Sequence, residues 1–329
     1  MRRNKYNSCT KFRYRFFYLL LFYKSTILNF YSNGKLLITS EYLVLDGAKS
    51  LALPTKFGQN LCIKISDTCN RILTWNSIDN NGTKWFSCKM NTLSFAVVSS
   101  SDKKIALTLQ QILLEVKKVN PKFLQFDYNI NVTTNLTFNK NWGLGTSSTL
   151  INNIANWGNI NAFDLQFKIF GGSAYDIACA QNNHPILYQL DTKNPKAKKI
   201  DFNPLFKEQL YFVYLNKKQN SRNAIEKYKK YNTNAKKPIT EISNITNQIS
   251  IEKSLINFEK LLKEHENIIA KVIDMQPIQK TLFKDYFGQI KSLGAWGGDF
   301  ILATGNKDTV HYFKNKGFET VIPYSKIIL

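Results

Sequence analysis

The sequence predicts an α+β protein, and three observations carry that prediction. A run of short strand-like segments leads into one long amphipathic helix. A clean period-2 alternation follows the helix. The last third closes as helix, glycine-rich turn, strand, helix, strand. With 329 residues, 43% hydrophobic and 21% charged, the chain can bury a large core, as one large or two medium domains, without disulfides or a structural metal.

Residues 29–55 read as strand, turn, strand: KLLITSEYLVL, a DGA turn, then KSLALPT, a hairpin signal. Residues 59–98 are strand-like with polar breaks such as NNGTKW at 80–85. Over 101–119, Ile105, Leu109, Ile112, Leu113 and Val116 recur on one helical face, and Pro121 ends the helix. In FDYNINVT, Phe126, Tyr128, Ile130 and Val132 alternate, as a half-buried strand requires. A glycine turn at 143–145 opens a helix near Ser147, a second helix covers about 162–170, and 172–181 reads as a buried helix carrying Asp176. The polar, proline-bearing KNPKAKK at 193–199 is the expected seam between halves. Beyond it, YFVYLN is a strand, 221–273 is mostly helical, and a helix runs to about Lys291. SLGAWGGDF, the strand ILAT, a helix over 307–316 and the strand ETVIPY complete the chain. The expected divisions are therefore an extension at 1–26, an N-terminal domain at 27–195 and a C-terminal domain at 196–329.

The extension holds seven basic residues and no acid. Its apolar run, 16–23, is too short to span a bilayer, and no small-residue cleavage site follows. Without it the net charge falls from +22 to +15, spread through a chain rich in Lys, Asn, Ile, Phe and Tyr. An even excess of this kind means non-specific attraction to polyanions rather than a nucleic-acid site. The five cysteines (Cys9, Cys62, Cys69, Cys88 and Cys179) are scattered with no metal spacing, as free thiols in a reducing cytoplasm would be. Three histidines, none in a nucleophile signature, argue against a histidine-activated nucleophile.

Chemistry concentrates in a few segments. In NGKLLITSEYLVLDGA, Lys35 follows a glycine and Glu41 lies between Ser40 and Tyr42; taken alone, these are solvated charges on a hairpin. In NWGLGTSSTLI, Gly143, Leu144 and Gly145 precede Thr146, Ser147 and Ser148 at a helix start. Glycines let backbone N–H groups approach an anion, and the helix N-terminus adds donors and partial positive charge. No Gly-Lys-Ser/Thr closes the loop, so it is not a Walker A loop. SLGAWGGDF brings Gly294, Gly297 and Gly298 between a helix and a strand, either to cover a ligand or simply to turn. FGGSAYDIACA holds one acid, Asp176, among small and apolar residues.

In this order these segments resemble the motifs of the GHMP kinases (galacto-, homoserine, mevalonate and phosphomevalonate kinases). The match is closer to the bacterial branch named for its GYDIA motif, here Ala174-Tyr175-Asp176-Ile177-Ala178. The resemblance covers about 29–329. It implies a ribosomal-protein-like N-terminal α/β domain, a ferredoxin-like C-terminal domain, ATP and Mg²⁺ as cofactors, and phosphoryl transfer to a small-molecule alcohol or phosphate acceptor. By position it makes Asp176 the catalytic base with Lys35 supporting it, and Glu41 an acid close to nucleotide and acceptor. Gly143, Leu144, Gly145, Thr146, Ser147 and Ser148 would form the phosphate loop, Ser147 would be a Mg²⁺ ligand, and Gly294, Gly297 and Gly298 would cover the nucleotide. The chemistry suits these residue types, because an acceptor hydroxyl needs a carboxylate to take its proton and a cation to stabilise the transferring group. Ser40 and Ala174 stand where the family has glycine; if Ala174 is left-handed, strain of about 1 kcal/mol follows. The helix that carries a metal-binding glutamate in mevalonate kinases offers Asp164 here, slightly displaced.

The expected function is a cytoplasmic ATP-dependent kinase acting on mevalonate or phosphomevalonate, with a homodimer as one arrangement. The alternatives are a diphosphomevalonate decarboxylase-like enzyme, or a non-catalytic protein of the same fold that binds a ligand or partner. A basic nucleic-acid binder on that fold is a third. No specific nucleic acid and no stable membrane span are expected.

Overall fold

The computed structural model describes residues 27–329 apart from 67, 69, 126, 193, 219–225, 227 and 229–235. The extension, Phe126 and the first part of the helical stretch expected at 221–273 lie outside the described residues. Two compact units divide the chain: residues 27–30 with 60–135, and residues 31–59 with 136–329.

The first unit contains the end of β2 (Ser50–Ile65), then β3 (Ile72–Ile78), β4 (Lys84–Asn91), β5 (Val97–Ser100), helix α1 (Lys103–Val119) and β6 (Ile130–Leu136). Strand order is β5-β4-β3-β6-β2, with β3 and β6 parallel and β3–β4 and β4–β5 antiparallel. α1 forms where the periodicity places it. Asp102 caps it by accepting from the Ile105 N–H, and Leu109, Ile112, Leu113 and Val116 are buried. Ile130 and Val132 point into the core as the alternation predicts.

The second unit holds the glycine-bearing segments and the Asp176 segment, on a different scaffold from the hairpin expected for its first stretch. β1 (Ile27–Leu37) leads to a 3₁₀ turn over Leu43–Asp46 before β2 begins. YLVL is therefore not a strand: Tyr42 and Gly47 take positive φ at either end of the turn, and Leu43 and Val44 drop into the core. Helices α2 (Thr146–Gly158), α3 (Ala162–Ile169) and α4 (Tyr175–Gln181) follow, then β7 (Ile186–Asp191) and β8 (Asn194–Lys199). β2, β7 and β8 are adjacent, with β2–β7 and β7–β8 antiparallel. The polar stretch read as a seam is thus the edge strand β8, its lysines exposed on a sheet margin.

A second sheet completes this unit. Its elements run β9 (Leu210–Tyr214), α5 (Lys236–Ile249), α6 (Leu255–Val272), the short α7 (Ile278–Leu282), β10 (Ile290–Ser292), β11 (Phe300–Thr304), α8 (Asp308–Asn315), β12 (Val321–Pro323) and a final turn α9 (Tyr324–Ile327). The order β10-β11-β9-β12 is antiparallel throughout, the split βαβ arrangement of a ferredoxin-like fold. The helix expected to reach Lys291 stops earlier. Pro277 caps a new short helix, and the chain must then run beside β11: at Gly288 a Cβ would lie 2.1 Å from the Thr304 carbonyl oxygen. Phe212, Phe258, Leu262, Ile269, Phe300 and Ile327 are buried in the main core cluster of this unit. Among the described residues no helix is long and apolar enough to cross a membrane.

Candidate active site

β1 places Lys35 against the glycine turn that precedes α2. The Lys35 N–H donates to the Leu144 carbonyl (3.1 Å), and its Nζ donates to the Gly143 carbonyl (2.7 Å). Gly143 and Gly145 sit at φ +67° and +96°, and neither site has room for a Cβ. At Gly143 it would lie 2.6 Å from the Asp299 carboxylate, and at Gly145 2.7 Å from Ser148 Oγ. Gly145 caps α2 without a side-chain acceptor, so the first-turn N–H groups have no cap from that residue and suit an anion. Ser147 is exposed there, whereas Ser148 is buried and donates to the Gly145 carbonyl (3.0 Å). Leu144 is wholly buried: its side chain anchors the turn in the core and its carbonyl holds Lys35.

Asp176 enters from the first turn of α4, whose cap is Ala174 at φ 59°, ψ 18°. Asp176 Oδ1 accepts from the Ile177 N–H (3.1 Å). Burial pushes the Asp176 carboxyl above its ordinary value, further than neighbouring Lys35 and the Ile177 amide draw it back. Burial alone would lower Lys35; Tyr175, Asp299 and Asp176 outweigh it and hold the ammonium above the usual lysine value. Lys35 Nζ also lies 5.7 Å from the Tyr175 ring centroid. The pair therefore consists of a firmly cationic lysine and a carboxyl unusually ready to hold a proton.

These groups line one cavity of about 280 Å³. Of the residues singled out in the sequence, Lys35, Glu41, Gly143, Gly145, Thr146, Ser147, Ser148, Asp176 and Gly294 are on its wall, while Leu144, Gly297 and Gly298 are not. The third segment contributes Gly294, Ala295 and Asp299 instead, and Tyr42 OH donates to the Ala295 carbonyl (2.9 Å). Sequence reasoning missed Asp299, Gln166, Lys140 and Lys218, all on the wall. Asp299 stood inside a quoted segment, but a carboxylate in a glycine-rich loop has no periodicity to betray it.

Beneath Glu41 lies a buried ionic cluster. Lys291 donates to Glu41 Oε1 and to the Ser292 carbonyl (2.8 Å), with Glu266 Oε2 at 3.9 Å. Glu266 accepts from the Ser292 N–H and hydroxyl (3.0 and 2.7 Å). Burial pushes the Glu41 carboxyl up to about 7 despite Lys291. His265 is held well below its ordinary value by burial and Lys291, so it is neutral, and its Nε2 accepts from the Ser40 N–H (2.8 Å). Ser40, at φ 71°, is further fixed by donating to the Lys49 carbonyl (2.6 Å).

Among the described residues no three His, Cys, Asp or Glu side chains cluster to hold a metal. Mg²⁺ does not require that, since it commonly takes one or two protein oxygens with phosphates and water. The wall offers such oxygens in the Ser147 hydroxyl and the Asp299 carboxylate; Gln166 also lines it, and its buried Oε1 has no hydrogen-bond partner. Asp164, the acid expected from α3, is exposed and off the cavity wall. Two residues are about 200° of helix turn, so when Gln166 faces the cavity Asp164 faces away.

No protein-family model matches the chain, and no curated protein sequence does. Solved structures do. A mevalonate kinase from Methanococcus jannaschii aligns at TM-score 0.64 and 14% identity, over 90% of this chain and 96% of its own. The phosphomevalonate kinase of Streptococcus pneumoniae in complex with phosphomevalonate and AMPPNP aligns at TM-score 0.64 and 14% identity, over 92% and 98%. The galactokinase of Lactococcus lactis with galactose aligns at TM-score 0.62 and 12% identity, over 94% and 93%. In architecture, across most of its length, the chain has the α+β fold of the GHMP kinases.

Proposed function

We propose that the chain is an ATP-dependent small-molecule kinase that moves a γ-phosphoryl group to an alcohol or phosphate acceptor in the cytoplasm, with mevalonate or phosphomevalonate as the leading acceptors. The observation that carries this reading is the convergence of Lys35, Asp176 and the 143–148 glycine turn on one cavity. The acceptors are taken from the fold neighbours, among which a mevalonate diphosphate decarboxylase also aligns, at TM-score 0.55 and 10% identity.

The chemistry follows from the side chains. The turn and the first N–H groups of α2 receive the phosphates, with Lys35 supplying positive charge beside them. An acceptor hydroxyl bonds to Asp176, attacks the γ-phosphorus, and passes its proton to the Asp176 carboxylate as the β–γ bridging P–O bond breaks and ADP leaves. With a phosphate acceptor, the attacking oxygen brings no proton and the work falls to positioning and to Lys35. Ser147, exposed at the start of α2, would hold a Mg²⁺ ion, whose chemistry is to neutralise charge on the phosphates.

A second reading, a ligand-binding protein of this fold without turnover, is favoured by one observation: Ser40 and Ala174 carry a Cβ at φ 71° and 59° beside the cavity. ADP release separates the two. Wild type and Asp176→Asn are supplied with ATP, Mg²⁺ and mevalonate, phosphomevalonate or diphosphomevalonate in parallel. Turnover with one acceptor, lost in the variant, supports the kinase; CO₂ release with the diphosphate supports the decarboxylase. Nucleotide binding without turnover on any acceptor supports the second reading.

A further inference from the structure

The least expected group in the cavity is Asp299. Its carboxylate packs against Gly143, so closely that a methyl there would lie 2.6 Å from Oδ2 and 2.9 Å from Oδ1. This is the turn that the reading above assigns to phosphates. The Asp299 backbone is anchored: its N–H donates to the Lys217 carbonyl (2.7 Å), its carbonyl accepts from the Leu215 N–H (2.8 Å), and its φ is 52°. It acts electrostatically on Lys35 and on Lys218, whose Nζ donates to the Lys140 carbonyl (2.9 Å). A carboxylate beside a polyphosphate is repulsive in a partly desolvated site, and a cation between them reverses the sign.

A second feature on the same wall calls for a ligand. Gln166 is 6% exposed; its Nε2 is satisfied by the Gly171 carbonyl (3.1 Å), yet its Oε1 has no partner. A buried amide oxygen left without a donor is costly. A divalent cation, or a water bound to one, would supply that partner.

We propose that Asp299 is this chain's carboxylate for the divalent cation that accompanies the nucleotide, with Gln166 receiving the cation or one of its waters. The assignment rests on the nucleotide reading above and deepens it. The carboxylate role thereby moves from α3 to the loop before β11. The plain rival is that Asp299 serves only to order Lys35 and Lys218.

The two differ in sign for metal-free nucleotide. Binding of AMPPNP to wild type and Asp299→Asn is measured calorimetrically with excess Mg²⁺ and with EDTA, and Mn²⁺ affinity of the AMPPNP complex is read by electron paramagnetic resonance. Asparagine accepts positive φ as aspartate does, so the loop is retained. The expected result is a loss of about 10-fold or more in Mn²⁺ affinity, weaker binding of Mg²⁺-AMPPNP, and unchanged or tighter binding of AMPPNP in EDTA. Weaker binding under both conditions with Mn²⁺ affinity intact would overturn the assignment in favour of lysine ordering. Identical behaviour of the two proteins would overturn it outright. Absence of any AMPPNP binding by wild type would defeat the nucleotide reading itself, and the assignment with it.

Discussion

Glu41→Gln is the perturbation whose size the structure fixes best. Glu41 is 1% exposed, and burial outweighs Lys291 to push its carboxyl from the usual 4.5 to about 7. The unfolded chain releases this proton near 4.5, while the folded chain keeps it to about 7. Between those values the folded state binds more protons, so the contribution of Glu41 to stability is full below about 4.5 and is lost as pH rises through 7. Moving one carboxyl that far corresponds to about 3 kcal/mol. Glutamine mimics the protonated acid in shape and does not titrate. Urea unfolding of both proteins at intervals from pH 4 to pH 8, followed by tryptophan fluorescence, should show the stability of the variant relative to wild type rising by about 3 kcal/mol. Parallel pH curves, or a relative loss with rising pH, would refute the reasoning and mean that Lys291 overcomes the burial of Glu41.

Asp176→Asn should lower turnover by about 10²–10⁴ while making the fold more stable at neutral pH; because burial raises Asp176, that advantage should shrink as pH falls, which thermal unfolding at two pH values checks. Gly143→Ala forces a Cβ onto the Asp299 carboxylate at a positive φ, and calorimetry should find AMPPNP affinity down by at least about 10-fold, since about 1–2 kcal/mol of strain comes with displacement of the turn. Ala174→Gly relieves about 1–2 kcal/mol of left-handed strain but removes a buried methyl worth about 0.8 kcal/mol and frees the unfolded backbone by about 0.4–1 kcal/mol. The net change should stay within about 1 kcal/mol, and a loss beyond about 1 kcal/mol in urea unfolding would show that the left-handed cap is not strained.

What the sequence revealed and what it hid divide along physical lines. α1 was readable because five apolar residues recur at helical spacing, and the 143–148 turn because glycine and hydroxyl chemistry is local. Asp176 stood out as one acid in an apolar run. The Leu43–Asp46 turn was hidden because its side chains are as apolar as those of a strand, and β10 because three residues are too few for a period. Asp299 and Gly143 are neighbours only through the fold, across more than 150 positions of chain. His265 and Glu266 were legible in principle: in α6 they fall on the stripe of Phe258, Leu262 and Ile269, where polar residues mark a buried polar contact.

The junction of Glu41 with Lys291 has a consequence for inheritance. Losing Lys291 leaves two buried carboxyls, Glu41 and Glu266, without their shared cation, at a cost of about 3–5 kcal/mol, which consumes much of the margin of an ordinary fold. Glu41 and Lys291 lie 250 residues apart, so the lysine is constrained by an acid near the other end of the chain. A recombinant that took its first sixty residues from one parent and a tail without this lysine from another would lose that margin.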